Sequence, residues 1–145
     1  MINAELNQDI LRGGQRLPLH VLDQVLKVVS RELAVKEKKE ISIAFVDPKT
    51  MKYLNRTYCG KNTITDVLSF SLEDEQMFGE LILSYDQAQK QAQERKHSVR
   101  DELVFLIVHG ILHLFGHDHE RPVDAKKMFT IQNNLLKNLH VNPEL

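Results

Sequence analysis

Eleven consecutive residues, His109-Gly110-Ile111-Leu112-His113-Leu114-Phe115-Gly116-His117-Asp118-His119, constrain this chain more than any other stretch. His109 and His113 are four apart, so on an α-helix their side chains share a face, one turn apart, with ring nitrogens able to meet at one ion. Gly116, three residues further on, suits a left-handed helix end that turns the chain and lets His119 swing back. The spacing predicts a facial three-histidine metal site at the end of a helix. Three neutral imidazoles at about 2.0–2.1 Å suit zinc, and three protein ligands leave a fourth tetrahedral position for water, which marks a catalytic rather than a closed structural site. Imidazole also suits iron, copper and nickel, but ligand type and geometry favour zinc, one ion per chain.

The spacing coincides with the H-E-x-x-H-x-x-G-x-x-H pattern of metzincin proteases at every stated position but one, because Gly110 stands where their glutamate would be. In those proteases the glutamate is the general base, and glycine has no side chain with which to take a proton. A metalloprotease is therefore disfavoured, and no side chain is assigned as the catalytic base.

The same segment resembles the H-G-x-L-H-L-x-G-[YH]-D-H signature of the YbeY family of bacterial ribosomal-RNA maturation endoribonucleases. A second stretch, Leu54-Asn55-Arg56-Thr57-Tyr58-Cys59-Gly60-Lys61 followed by Thr65-Asp66-Val67-Leu68-Ser69-Phe70, is similar to the family's L-N-x-x-Y-R-G-K-D-x-P-T-D-V-L-S-F-P segment, and Gly79-Glu80-Leu81-Ile82-Leu83-Ser84 resembles its G-[DE]-I-x-I-S strand. The resemblance places the family's zinc ligands on His109, His113 and His119, the three that spacing selects. It implies a single metal-dependent hydrolase domain over residues 1–145. The implied activity is that of a zinc-dependent, single-strand-specific endoribonuclease in small-subunit ribosomal RNA maturation and ribosome quality control. The implied partners are ribosomal RNA and the small subunit or its assembly factors. Cys59 departs from the pattern, standing where the family usually carries an arginine proposed to matter for RNA cleavage, and Ile64 and Ser71 replace its usual prolines. A guanidinium holds a phosphate with two hydrogen bonds, so its loss calls for a substitute such as Lys61 or Arg56. The alternative that Cys59 raises is a non-catalytic assembly factor whose zinc fixes the loop from Gly116 to Arg121.

At 145 residues, with 42% hydrophobic and 27% charged residues, the chain suits one globular domain with one core. No apolar run is long enough to cross a bilayer, and Met1 to Asn7 lacks the basic and apolar regions of a signal peptide. A cytoplasmic location without membrane contact is expected, and a single cysteine precludes an internal disulfide. A net charge of −1 is not that of a protein with a broad nucleic-acid footprint, so any RNA contact must be local. Lys49, Lys52, Arg56 and Lys61 form a positive cluster that is either a solvated helix face or an RNA-facing patch.

Periodicity predicts an α+β fold: a mixed sheet of about four strands packed with about five helices, the metal site lying at the end of a central helix. Ile2, Ala4 and Leu6 alternate as in a half-buried strand, and Ile41–Val46, Val67–Phe70 and Glu80–Ser84 read as three more, the last two paired across an acidic loop, Glu73-Asp74-Glu75. Helices are expected from Leu19 to Leu33, from Pro48 to Gly60, from Asp86 to Lys96 on the surface, through the two histidines after a Ser98–Asp101 cap, and from Pro122 to Leu139. Val104, Phe105, Val108 and Leu112 form the expected core stripe of the histidine helix. Asp118 is read either as a hydrogen-bond partner that fixes a ligand's tautomer or as a turn cap. His117 is expected in an exposed loop, His20, His97 and His140 as surface or capping residues, and Cys59 as a passive thiol rather than a fourth ligand.

Overall fold

The computed structural model describes residues 1–72 and 74–142. Glu73 of the expected acidic loop and the last three residues of the expected domain lie outside the described residues. The elements are β1 (Ile2–Asn7), α1 (Leu19–Glu32), β2 (Lys39–Val46), α2 (Pro48–Cys59), β3 (Val67–Ser71), β4 (Gly79–Ser84), α3 (Tyr85–Arg95), α4 (Val99–Leu114) and α5 (Pro122–Asn138), with a 3-10 turn at Gly13–Gln15. Among the described residues this is a single-domain α+β fold with a four-stranded mixed sheet and five helices, as periodicity predicts.

The strands lie in the order β1-β2-β4-β3. β1 pairs parallel with β2, and β2 with β4, so helical crossovers must join them, whereas β3 and β4 pair antiparallel with Val67 opposite Leu83. Alternation along β2 and β4 divides the core. Ile41, Ile43, Phe45, Leu81 and Leu83 join α1, α4 and α5 in the main cluster, while Ile82 and Leu68 meet Met51 of α2 in a smaller one on the other face. β4 is thus covered on both faces, which explains its nearly unbroken apolar sequence Leu81-Ile82-Leu83.

Local signals fix the helix ends that matter for the site. Asp47 Oδ1 accepts the Thr50 N–H at 2.7 Å to start α2, and Gly60 ends it at φ +72°. Ser98 Oγ accepts the Asp101 N–H at 3.1 Å to start α4. Two expectations need correction. α4 does not present one apolar stripe: Leu103, Leu106, Ile107 and Ile111 are buried along with Val104, Val108 and Leu112, so the helix is enclosed on nearly every side. α3 is not wholly a surface element, because Tyr85, Ala88 and Ala92 bury one edge of it.

α4 passes very close to the sheet at Gly110. A Cβ there would stand 2.8 Å from Leu81 Cδ2 and 3.2 Å from Ser69 Oγ, and the Ser69 hydroxyl donates to the Gly110 carbonyl at 3.3 Å. Leu81 is fully buried, so it can yield only by displacing its own packed neighbours. Position 110 therefore faces β3 and β4, where no glutamate side chain fits. Adding a methyl group by Gly110→Ala should cost about 1–3 kcal/mol of overpacking, against about 1 kcal/mol gained in helix propensity. Denaturant unfolding should show a net loss of up to about 2 kcal/mol with an unchanged m-value, and a gain in stability would contradict this packing.

Candidate metal centre

α4 delivers His109 and His113 one turn apart, with their Nε2 atoms 3.1 Å from each other and their rings edge-to-face at 4.6 Å. The helix then ends in a Schellman motif: the Gly116 N–H donates to the His113 carbonyl and the His117 N–H to the Leu112 carbonyl, both at 3.0 Å, with Gly116 at φ +90°. This left-handed turn reverses the chain. His119 returns to place its ring 5.6 Å from that of His109 and 5.2 Å from that of His113. One nitrogen from each of the three lies within 4.8 Å of the others. The structure thus brings together the three residues that spacing selects.

Two elements hold these rings. Gln132 of α5 is buried, and its Oε1 lies 2.8 Å from His109 Nδ1. A carbonyl oxygen only accepts, so Nδ1 carries the proton and Nε2 is left with its lone pair toward the other histidines. Two imidazole nitrogens 3.1 Å apart, one of them a committed lone pair, need a proton or a cation between them. That donor set, three imidazoles with one tautomer fixed from behind, fits a metal ion. Phe105 stacks on His109 at 6.2 Å with an interplanar angle of 7°, and Phe129 of α5 lies 6.1 Å from the His119 ring at 17°.

Burial pushes the His109 pKa below its ordinary value, with a smaller contribution from the neighbouring histidines opposed by the Gln132 hydrogen bond and by Asp66. Burial likewise lowers His113, aided by His119. Both rings are therefore neutral at pH 7, the form in which imidazole binds a metal.

The rings open into a cleft of about 910 Å³ whose wall includes Cys59, Lys61, Asp66, Arg95, His117 and Asp118. Asp118 takes the turn-capping role, its Oδ1 accepting the His119 N–H at 2.7 Å, while Gln132 does what a tautomer-fixing aspartate would have done. Cys59 is an exposed thiol on the cleft wall, outside the three-histidine group. Of the two cations considered as substitutes for the missing guanidinium, Lys61 lines the cleft, whereas the Arg56 guanidinium lies 5.8 Å over the Tyr53 ring. His117 is half-buried against the cleft rather than exposed. His97 also departs from expectation: its side chain is buried, with Nε2 3.1 Å from Glu102 Oε1. His20 and His140 are exposed, as expected.

Sequence reasoning missed Gln132, Asp66, Phe129 and Arg95 as parts of this cleft. Gln132 left a faint signal, as a polar residue four after Met128 and three before Leu135 on the apolar side of α5.

The family model described as endoribonuclease YbeY matches residues 14–140. A protein named endoribonuclease YbeY from Lysinibacillus sphaericus is 37% identical over 81% of this chain and 83% of its own, and one from Oceanobacillus iheyensis is 38% identical over 81% and 85%. The solution structure of a Thermotoga maritima protein is similar with a TM-score of 0.63 and 26% identity, covering 96% of this chain and 89% of that one.

The depressed histidine pKa values carry a stability consequence. As pH falls through the ordinary imidazole value near 6.5, the unfolded chain takes up protons before folded His109 and His113 do. The metal-free protein should lose stability below about pH 6.5, read as a lower Tm at pH 5.5 than at pH 7.5. The drop should be smaller in His109→Gln. An equal drop in both proteins would show that His109 is not a source of the effect.

Proposed function

The chain belongs to the endoribonuclease YbeY family, and on that premise we propose that it is a zinc-dependent endoribonuclease that cuts single-stranded RNA. Its place is small-subunit ribosomal RNA maturation and ribosome quality control in the cytoplasm, with the small subunit or its assembly factors as partners. His109, His113 and His119 hold one zinc ion, and residues 1–145 act as one metal-dependent hydrolase domain. The observation that carries this reading is the convergence of three imidazoles, two of them held neutral by burial, at the floor of an open cleft. No helix among the described residues is long and apolar enough to cross a membrane.

Zinc bound by these residues supplies Lewis-acid chemistry, polarising a phosphoryl oxygen and acidifying water near neutral pH. The remaining work falls to the chain. Gln132 holds the His109 proton on Nδ1, which leaves the Nε2 lone pair available to hold an ion. Phe105 and Phe129 flank the His109 and His119 rings. Lys61 puts a positive charge on the cleft wall, where a phosphodiester would lie. The packing at Gly110 argues against peptide hydrolysis of the metzincin kind, since the base those enzymes carry has no room there.

Cys59 supports a second reading, in which the metal only fixes the loop from Gly116 to Arg121 and the protein is a non-catalytic assembly factor. The two part in one assay. Zinc-loaded protein incubated with labelled single-stranded RNA should cleave it and spare a duplex, and His113→Ala prepared in parallel should show only background. Equal, negligible cleavage by both proteins would favour the assembly factor. In either reading Gln132→Leu should weaken zinc binding about 10–100-fold, as measured by competition with a chromophoric chelator. Unchanged affinity would remove Gln132 from the site.

A further inference from the structure

Among the described residues one carboxylate is fully buried, and its arginine partner lines the same cleft. Glu102, near the start of α4, is fully buried, with Oε2 3.3 Å from Arg95 Nη1 and Oε1 3.1 Å from His97 Nε2. The His97 side chain is 5% exposed, whereas that of Arg95 is 34% exposed. A buried ion pair is weak evidence for a stabilising role, because apolar side chains of similar volume commonly serve as well. What this one achieves is placement. Arg95 is the last residue of α3, and an arginine there would ordinarily range through solvent. Here one edge of its guanidinium is tied to Glu102, and its Cζ lies 4.7 Å from the centroid of the Phe105 ring, which in turn stacks on His109. Arg95, Phe105 and His109 form successive layers leading to the three-histidine centre. Of the ion pair, only Arg95 lines the cleft.

We propose that Arg95 is a phosphate-binding residue of this cleft, holding a phosphate of single-stranded RNA and supplying the guanidinium that position 59 lacks. The inference rests on reading the cleft as an RNA site. A guanidinium has five N–H donors in a fixed fork, and Glu102 engages Nη1, leaving others for phosphate oxygens. Holding the fork in place beforehand reduces the ordering that binding would otherwise require. The surroundings make a cation necessary. The cleft wall also carries Asp66, Asp118 and Glu120, which repel a polyanion, and the cations on that wall are Lys61 and Arg95. Glu102 is a positioning residue that acts through Arg95.

The test is the salt dependence of binding by the zinc-loaded protein, measured by fluorescence anisotropy with a fully 2′-O-methylated single-stranded oligoribonucleotide whose integrity is checked afterwards. Arg95→Gln should weaken binding about tenfold, the loss of one charge-assisted hydrogen bond. It should also make the slope of log affinity against log salt shallower by about 0.7, the loss of one phosphate contact on a single strand. Arg95→Lys keeps the charge and should keep the slope while losing part of the affinity. Because Arg95→Gln strips a partner from a buried carboxylate, the double variant Arg95→Gln/Glu102→Gln provides a folded counterpart without a stranded charge and should show the same shallower slope. Lys27→Gln, on an exposed face of α1, should leave slope and affinity as they are. Wild-type binding with an unchanged slope in the single and double variants would overturn the assignment of Arg95 alone. Failure of the wild type to bind the single strand at all would overturn the RNA reading of the cleft together with it.

Discussion

The close approach of α4 to the sheet at Gly110 is the constraint on which the rest of the site depends. Without a side chain at that position, the helix backbone settles against Leu81 and accepts a hydrogen bond from Ser69, which locks both its height and its rotation. Once rotation is fixed, so is the direction in which His109 and His113 leave the helix, since one precedes the contact by a residue and the other follows by three. A second contact, where a Cβ at Gly79 would stand 2.6 Å from Leu114 Cδ2, tightens the far end of the same helix against β4. A helix enclosed in this way cannot tilt without disturbing the core. The ligand geometry is therefore a property of the packed interior rather than of the loop that completes it.

The other half of the site comes from α5, whose sequence looks purely structural. Met128, Leu135 and Leu136 seat it in the core, and the same packing carries Gln132 to His109 and Phe129 to His119. Burying an amide is unfavourable unless it is hydrogen-bonded, and the His109 Nδ1–H meets that need. One contact thus satisfies a buried polar group, chooses a tautomer and ties the last helix to the three-histidine group.

These relations explain what could be read from sequence. The three histidines, the glycine turn between them and the cap at Ser98 are local, with partners within a few residues, and all formed as the spacing predicts. The strand segments were likewise legible from alternation, but their order, with β4 between β2 and β3, rests on pairings between distant residues that leave no periodic trace. The enclosure of α4 was understated because a helix apolar on every side has no polar face to announce which side is core. Gln132, Arg95 and the buried His97–Glu102 contact escaped for a related reason. Each is a polar residue whose meaning lies in a neighbour on another segment of chain. Arg95 and Glu102 are only seven residues apart, yet the turn through Lys96, with φ +58°, is what brings them together.

Gly110 and Cys59 carry one lesson from opposite directions. At position 110 a metzincin-like spacing lacks its base because packing forbids the side chain, so the same three-histidine frame is committed to a different chemistry. At position 59 the backbone reaches the cleft but brings a thiol, and the positive charge arrives instead from α3 and from Lys61. With a net charge of −1, the whole-molecule field offers a polyanion no general attraction. Attraction must come from a few cations fixed at the cleft itself, and a strand that makes so few phosphate contacts is held by position more than by charge. If the cleft takes RNA as proposed, Lys61, Arg95 and the histidines on its wall suit one flexible strand, whereas a duplex would need a broad basic surface outside the cleft to hold its second strand. On the proposed reading, a preference for unpaired RNA would follow from how few cations the cleft carries and where they stand.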